Sequence, residues 1–389
     1  MRTADRMQEI APFRVMEILA EARRQEAQGR NVVHMEIGEP DFRSPDLVLA
    51  AGRRAIAEGH THYTPAAGLP ELREAIASYY ETRFAVTVPA RRIIVTPGAS
   101  GALQLALAAV VNPGEQVLLP DPAYPCNRNI ATLLGAEIVD LPVSRADGYR
   151  LSADDLRSSM GPLTRLLMLA SPANPTGAVI SSAELATLLS VLRERAGSYL
   201  LIDEIYQGLQ YAGNVETALA LAADDVIVLN SFSKYFGMTG WRVGWMVVPD
   251  ALVEPIDRLA QNLFLAAPTP SQYAALAAFA PDNLEELERR RAVFLTRRDF
   301  LCGALGELGF DLGSPPAGAF YIYADASDFT RDSQAFCQQL LDEESVALTP
   351  GVDFGLFKAR KHIRFAYTTS LPQLELGIER LGRFLRAGG

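Results

Sequence analysis

The sequence predicts an α/β protein with a large domain built on a mostly parallel sheet covered by helices, and a smaller α+β domain. Two observations lead to this fold class. Apolar β-type runs alternate with helix-like stretches through most of the chain, and the runs are apolar on both faces, as in doubly covered parallel sheets. After about Gln261 this alternation gives way to a long helical region and alternating strands. The change of pattern marks the second domain.

The elements of the large domain follow from local periodicity. Residues 15–28 are predicted as a helix and residues 32–37 as a short strand. Pro70 begins the next helix at a first-turn position, where proline costs little. The apolar residues of that helix recur at helical spacing, as Leu72, Ile76, Tyr79 and Tyr80. Strands are predicted at 92–96, 116–120, 166–170, 199–202 and 226–229, separated by helices such as 101–111 and 182–196.

The smaller domain has a different order of elements. A helical region at 271–305 precedes strands at 320–323 and 362–367. The closing helix carries one apolar stripe, made of Leu374, Ile378, Leu381 and Leu385. We expect residues 46–275 to form the large domain, residues 276–389 the small domain, and residues 1–45 a segment that packs with the small domain.

Composition and charge exclude several classes of protein. The 389 residues are 49% hydrophobic and 21% charged, an ordinary globular balance. The net charge is −10 and no basic stripe occurs, which argues against nucleic acid or an anionic membrane as partner. The three cysteines are too few and too widely spaced for a disulfide framework or a metal site. With no secretory signal and no apolar stretch long enough to span a bilayer, we expect a cytoplasmic protein.

Chemically useful side chains follow each predicted strand of the large sheet. Because ligands bind at the carboxyl ends of parallel strands, we expect these side chains to meet in one cleft. The segments in question contain Gly98-Ala99-Ser100-Gly101, Tyr124, Asn174, the pair Asp203 and Tyr206, and residues 231–244. Together they supply an anion cradle, an aromatic ring, an amide, a carboxylate, a phenol and an amine.

The segment 231–244 has the composition of a site for a phosphate and a reactive amine. Ser231, Ser233 and Arg242 provide the hydroxyls and the guanidinium fork that a buried phosphate needs. Lys234 lies among them, where burial and nearby positive charge favour a neutral amine able to form a Schiff base. Taken alone, Lys234 is more typical of a solvated surface lysine. With the other strand ends, the segment indicates a site for pyridoxal phosphate (PLP).

With these motifs in this order, the chain resembles the class I/II aminotransferases, PLP-dependent enzymes of the aspartate aminotransferase fold (fold type I). The resemblance extends from Gly38-Glu39-Pro40-Asp41 to Arg364. It implies a sheet of the seven-stranded type and a ping-pong transfer of the amino group from an L-amino acid to a 2-oxo acid. It also implies that Lys234 binds PLP as a Schiff base and moves the substrate α-proton.

The resemblance assigns roles to further residues. Asp203 would pair with the pyridine nitrogen, Tyr124 would stack on the ring, and Tyr206 and Asn174 would hydrogen-bond the phenolic oxygen. Arg364 would bind the substrate α-carboxylate, with Gly38 and Asn174 beside it. The phosphate would be bound by Gly98, Ala99, Ser100, Ser231, Ser233 and Arg242, and by Tyr63 from the second subunit of a homodimer. The resemblance implies no metal.

The same residues have plainer interpretations. Asp203 is also a suitable helix cap, Asn174 a suitable turn residue, and Arg364 a typical solvated residue of an alternating strand. Tyr124 and Tyr63 are equally typical of core aromatics.

Other activities stay open at this point. The same scaffold also serves β-elimination, C–S lyase and racemisation reactions. A PLP-sensing regulator would need a DNA-binding module, for which motifs beginning by Gly38 leave no room. A nicotinamide-dependent dehydrogenase is disfavoured because no G-x-G-x-x-G opens the first βα unit.

Ser100 bears on the choice of substrate. Some bacterial aspartate-using relatives have a lysine at the matching position, where it pairs with the side-chain carboxylate of the substrate. Since this chain has Ser100, we expect a neutral donor, aliphatic or aromatic, with 2-oxoglutarate or pyruvate as acceptor. An aspartate-type enzyme stays open if another arginine or the partner subunit supplies the charge.

Overall fold

The structure, a computed structural model, describes residues 2–388, so the ends of the first and last predicted segments, Met1 and Gly389, lie outside the described residues. The helices are α1 (Arg14–Ala27), α2 (Asp46–Ala57), α3 (Pro70–Phe84), α4 (Gly98–Val110), α5 (Pro125–Leu133), α6 (Ala153–Ser159), α7 (Ser182–Leu192), α8 (Asp250–Leu263), α9 (Thr269–Leu276), α10 (Pro281–Glu307), α11 (Ser333–Glu344) and α12 (Leu371–Arg386). The strands are β1 (Val33–His34), β2 (Ile93–Thr96), β3 (Gln116–Asp121), β4 (Glu137–Pro142), β5 (Thr164–Ala170), β6 (Tyr199–Asp203), β7 (Val226–Ser231), β8 (Gly244–Val247), β9 (Tyr321–Asp325), β10 (Val346–Ala347), β11 (Thr349–Pro350) and β12 (His362–Ala366). The α/β fold class predicted from the sequence is confirmed.

The central sheet has seven strands in the order β2-β8-β7-β6-β5-β3-β4. Strands β3 to β7 run parallel to their neighbours among themselves, whereas β8 is antiparallel to both β2 and β7. Strands β4, β8, β10 and β11 were not predicted from the sequence. Strand β8 was missed because its short apolar run follows directly on the segment 231–244. That segment reverses the chain direction, so Ser231 at the end of β7 lies opposite Gly244 at the start of β8.

Helices cover both faces of this sheet. Successive residues of β7 point to opposite sides, with Val226 and Val228 in one apolar cluster and Ile227 and Leu229 in the other. Helices α4 and α8 pack on the second side, and α3 and α7 on the first. A strand apolar on both faces is therefore fully buried, as predicted for a doubly covered sheet.

The C-terminal part builds a second, antiparallel sheet in the order β11-β12-β9. Strand β1 pairs in parallel with β10, with Val33 opposite Val346, so the N-terminal segment packs with the C-terminal part. The predicted strand 32–37 is shortened to two residues. Beyond β1 the carbonyls of Glu36 and Gly38 accept hydrogen bonds from side chains rather than from a neighbouring strand.

The predicted helical region 271–305 is interrupted. Ala280 has extended backbone angles (φ −60°, ψ 141°) immediately before Pro281, which begins α10. The residue before a proline is disfavoured in the helical conformation, so the chain ends α9 and its following turn there. Within residues 2–388, every helix is too short or too polar to traverse a lipid bilayer.

Candidate active site

A cavity of about 350 Å³ lies where β5, β6 and β7 end, with Ala170, Asp203 and Ser231 in its wall. The five predicted strand-end motifs are all represented in the lining of this one cavity. The predicted site residues that line it are Gly38, Ala99, Ser100, Tyr124, Asn174, Asp203, Tyr206, Ser231, Ser233, Lys234, Arg242 and Arg364. Gly98 lies behind this lining, and Tyr63 is elsewhere on the surface of the subunit.

Lys234 reaches the cavity from the turn after β7. Its Nζ donates a hydrogen bond to the backbone oxygen of Gly38 at 2.7 Å. The pKa of this lysine is lowered to about 8, chiefly by burial and also by the charges of Arg364 and Arg242, against the opposing effects of Glu39 and Asp203. The lowered pKa makes the neutral form of the amine far more abundant near neutral pH than in an ordinary lysine, and a nucleophilic amine reacts in that form.

Asp203, the last residue of β6, presents an unpaired carboxylate to the cavity. Its Oδ1 accepts a hydrogen bond from the backbone nitrogen of Ile205 at 3.0 Å, and it forms no ion pair within the described residues 2–388. Burial raises the pKa of this carboxyl to about 6. A partly desolvated carboxylate without a counter-ion fits a cationic ring nitrogen such as a pyridinium.

The opposite end of the cavity is built to receive an anion. Ser231 Oγ donates to Ser233 Oγ at 2.9 Å, and α4 begins beside these hydroxyls with its unpaired N–H groups. Arg242 adopts the left-handed conformation (φ 53°), and its Nη1 donates to the carbonyl of Thr239 at 2.9 Å. These groups match a phosphate.

Two glycines allow this close approach. A Cβ on Gly98 would lie 2.4 Å from Arg242 Nη2, and a Cβ on Gly244 would lie 2.9 Å from the backbone nitrogen of Ala99. Side chains at these positions would fill the cradle. With the amine, the carboxylate and the ring of Tyr124, the residues present fit PLP.

Arg364 lies on β12 at the rim of the cavity and is 3% exposed. Its Nη1 donates to Asn174 Oδ1 at 3.0 Å, and its Nη2 donates to Thr349 Oγ1 at 3.2 Å and to the carbonyl of Glu36. The guanidinium lies between two aromatic rings, 4.3 Å from the centroid of Tyr321 and 4.7 Å from that of Phe354. It is therefore a fixed, buried cation and not a solvated surface residue.

Several residues of the cavity were not predicted as site residues from the sequence. Tyr321 on β9 forms a hydroxyl pair with Tyr206, with 2.7 Å between the oxygens. The first turn of α1 and the residues just before it form an apolar wall, and Glu39 and Cys126 also line the cavity. Aromatic and apolar residues of this kind resemble core residues in sequence, so only the three-dimensional arrangement identifies them.

Tyr63 is 82% exposed and does not reach the cavity of its own subunit. Its loop is nevertheless held firmly. Thr269 Oγ1 donates to the carbonyl of His62 at 2.6 Å, and Gln272 Nε2 donates to Thr64 Oγ1 at 3.0 Å. An exposed phenol on a fixed loop is available to a second molecule.

Known proteins share this architecture over the whole chain. Residues 30–381 match the family described as aminotransferase class I and II. The chain is 39% identical over 378 residues to a valine–pyruvate aminotransferase of Mycobacterium tuberculosis, covering 97% of each protein. It is 33% identical over 382 residues to an aspartate/prephenate aminotransferase of Thermus thermophilus, covering 98% of each.

A solved structure gives the same result. The crystal structure of an aminotransferase from Mycobacterium tuberculosis superposes with a TM-score of 0.94 at 37% identity, and the match covers 100% of both chains. The family resemblance, the transamination activity and the PLP cofactor predicted from the sequence are confirmed. The chain therefore belongs to the class I and II aminotransferases, enzymes that depend on pyridoxal phosphate.

Proposed function

We propose that the chain transfers the amino group of a neutral L-amino acid to a 2-oxo acid, with Lys234 as the catalytic residue. The observation that carries this proposal is the amine of Lys234, held 2.7 Å from the Gly38 carbonyl, with a pKa that burial lowers to about 8. When bound, PLP withdraws electrons from the substrate α-carbon, which makes the α-proton acidic. Lys234 Nζ accepts that proton and holds it during the transfer.

The other predicted residues bind and orient. Asp203 neutralises the cationic ring nitrogen, and Tyr124 packs on the ring. Tyr206 and Asn174 direct hydrogen bonds to the phenolic oxygen. The phosphate is bound by the N-terminus of α4 at Gly98, Ala99 and Ser100, and by Ser231, Ser233 and Arg242. Arg364 grips the substrate α-carboxylate, with Asn174 and the backbone of Gly38 beside it, which fixes the α-carbon near Lys234.

Charge and polarity support a neutral side chain on the donor. Within the described residues that line the cavity, the cations are Lys234, Arg242 and Arg364, and each has a role of its own. Phe13, Val15, Met16, Ile37 and Leu103 supply an apolar wall. A second substrate carboxylate would lose its water there without gaining a counter-charge from the same subunit. The valine–pyruvate aminotransferase relative agrees with such a donor, and pyruvate or 2-oxoglutarate serves as acceptor.

Ser100→Lys tests this substrate class. We expect the variant to raise kcat/KM for aspartate roughly tenfold or more relative to valine, because an ammonium would face the side-chain carboxylate. Initial rates with both donors, with the 2-oxo acid and ammonia measured as products, check this. Ser158→Lys, at an exposed position on α6, is the matched control and leaves the ratio unchanged. Aspartate preferred over valine by the unsubstituted enzyme, or ammonia as a main product, would contradict the proposal.

We also propose a homodimer in which Tyr63 of each subunit binds the phosphate in the other subunit. The fixed, exposed loop around Tyr63 supports this arrangement. Each site would then need Lys234 from one subunit and Tyr63 from its neighbour.

Mixing two variants tests the shared site. Tyr63→Phe is expected to weaken PLP binding about tenfold, since one hydrogen bond to a charged group is lost. When Tyr63→Phe subunits are exchanged with Lys234→Ala subunits, half of the sites in mixed dimers regain both intact groups. PLP titration of the mixture should then show a tight, active class of sites. A mixture equal to the sum of its separate components would argue against the shared site.

We also propose a domain organisation and a cellular location for the chain. Pairing of β1 with β10 supports residues 1–45 packing with a small domain of residues 276–389, next to a large domain of residues 46–275. A cytoplasmic location agrees with the supply of PLP and amino acids that the reaction requires.

A further inference from the structure

Tyr321 contacts two groups to which the proposed function gives different partners: Tyr206, which binds the cofactor, and Arg364, which binds the substrate α-carboxylate. It is in β9 and 1% exposed, and it lines the cavity with its ring and hydroxyl. On one side its hydroxyl meets that of Tyr206. On the other side its ring lies under the guanidinium of Arg364. One side chain thus contacts both the proposed partner of the cofactor oxygen and the proposed carboxylate-binding arginine.

The number of available protons decides which of the two hydroxyls donates the hydrogen bond. The two oxygens are 2.7 Å apart, so one of them donates. A phenol has a single proton. If Tyr206 gives its proton to the phenolic oxygen of PLP, then Tyr321 must be the donor within the pair. Accepting that hydrogen bond polarises the Tyr206 hydroxyl and makes it a stronger donor in turn.

Arg364 strengthens this effect. Its guanidinium carbon is 4.3 Å from the Tyr321 ring centroid, and its positive charge opposes the rise that burial causes in the pKa of Tyr321. A phenol beside a cation is a better hydrogen-bond donor. Arg364 and Tyr206 both act to lower the pKa of Tyr321, and Tyr124 is a further titratable neighbour, whose own pKa is raised by burial and also by Tyr321.

Gly38 leaves room for the hydroxyl of Tyr321. A Cβ on Gly38 would lie 1.8 Å from Tyr321 Oη, so the phenol occupies the space that any other residue would fill. The carbonyl of the same glycine accepts the hydrogen bond from Lys234. Gly38 therefore brings the phenol of Tyr321 and the amine of Lys234 to the same stretch of backbone.

We propose that Tyr321 is a positioning residue for transamination, which orients and polarises the Tyr206 hydroxyl and links it to Arg364. The inference rests on the proposed roles of Tyr206 and Arg364. Tyr321 acts through Tyr206 and takes no proton from the substrate. Its effect falls on the charge that the cofactor's phenolic oxygen carries.

Tyr321→Phe, followed by a pH titration of the visible absorbance of the PLP-loaded protein, tests the inference. When the bound PLP loses the proton that changes its visible absorbance, negative charge stays on the phenolic oxygen of PLP. A hydrogen bond from Tyr206 stabilises that charge. A weaker bond should raise the titration midpoint by about half a pH unit or more, roughly a threefold change in the acid dissociation constant. Tyr323→Phe is the matched control. It is in the same strand, and its buried hydroxyl has no hydrogen-bond partner within residues 2–388, so its midpoint should match that of the unsubstituted protein.

A double variant separates a positioning role from a general structural one. If Tyr321 acts through Tyr206, adding Tyr321→Phe to Tyr206→Phe should produce no further shift of the midpoint. Equal midpoints for Tyr321→Phe and Tyr323→Phe, or fully additive shifts in the double variant, would overturn the inference. If Tyr321→Phe does not fold, 3-fluorotyrosine at position 321, a stronger donor, should lower the midpoint, and an unchanged midpoint would equally overturn it.

The outcome is distinguishable from a failure of the proposed function. An unsubstituted protein without a titrating visible band or without transamination would contradict the proposed function itself. A normal band in the unsubstituted protein, with no response to changes at position 321, contradicts the role of Tyr321 alone.

Discussion

Lys234→Ala is expected to lower kcat for transamination by ~10⁴-fold or more while leaving the protein folded. The side chain supplies both the covalent attachment and the base for the α-proton, and no neighbouring group can replace it. Asp203 and Glu39 also line the cavity but are carboxylates, which cannot form a Schiff base. The fold should survive because the apolar clusters on both faces of the sheet do not include Lys234. Circular dichroism and single-turnover kinetics together check this.

Because the chain has few lysines, chemical labelling can identify the one that binds PLP. The chain contains Lys234, Lys358 and Lys361 only, and the last two are exposed. Borohydride reduction of the PLP-loaded protein should therefore label a single peptide, and the label should disappear in Lys234→Ala. Lys361→Ala, the matched control, should retain the label and the full rate. Label on another lysine, or turnover by Lys234→Ala well above background, would contradict the catalytic role.

The large-domain half of the site was predictable because one physical rule connects sequence to position. Parallel strands end at the same edge of a sheet, so residues that follow different strands must meet. Asn174, Asp203 and Lys234 were identified this way, and they line one cavity. Neither the distances between them nor the role of each residue follows from that rule alone.

The apolar and aromatic wall of the cavity was not predictable, because no sequence motif distinguishes its residues from ordinary core residues. Met16 lies in the first turn of the amphipathic helix α1, and Phe13 immediately precedes this helix. Apolar residues are expected at such positions in any protein. Tyr321 and Tyr323 are two residues apart in β9 and so lie on the same face of the strand, and nothing in the sequence tells which of the two reaches the site. Contacts between segments hundreds of residues apart decide this, such as Arg364 with the carbonyl of Glu36.

Two of the differences between the predicted and the observed strands, at β8 and at residues 32–37, depend on tertiary context. Strand β8 is short and follows the segment 231–244, so its four residues resemble the end of a loop until β2 and β7 are in place on either side. The predicted strand 32–37 is apolar enough for a longer strand, yet β10 offers only two residues to pair with it. Sheet partners set strand length more than the pattern of a single segment does.

Arg364→Lys is the substitution with the next largest expected effect. It should lower kcat/KM for amino acid donors by about 10²-fold or more, chiefly through KM, while PLP binding and its visible spectrum persist. A lysine keeps the charge but lacks the planar fork, so it cannot grip a carboxylate with two hydrogen bonds while also donating to Asn174 and Thr349. Steady-state kinetics and a PLP titration of the same variant measure the two effects separately.

Arg297→Lys provides the matched control for losing a buried, stacked arginine. Arg297 is 5% exposed, makes two 2.8 Å hydrogen bonds to Asp41 and lies against the ring of Phe42, outside the cavity lining. Its replacement should lower the melting temperature yet leave KM within about twofold, since its fork binds another part of the protein and not the substrate. If Arg297→Lys raised KM as much as Arg364→Lys, the effect at Arg364 would reflect general loosening of the fold. If only Arg364→Lys raises KM, the α-carboxylate is recognised by the guanidinium that β12 holds between Tyr321 and Phe354.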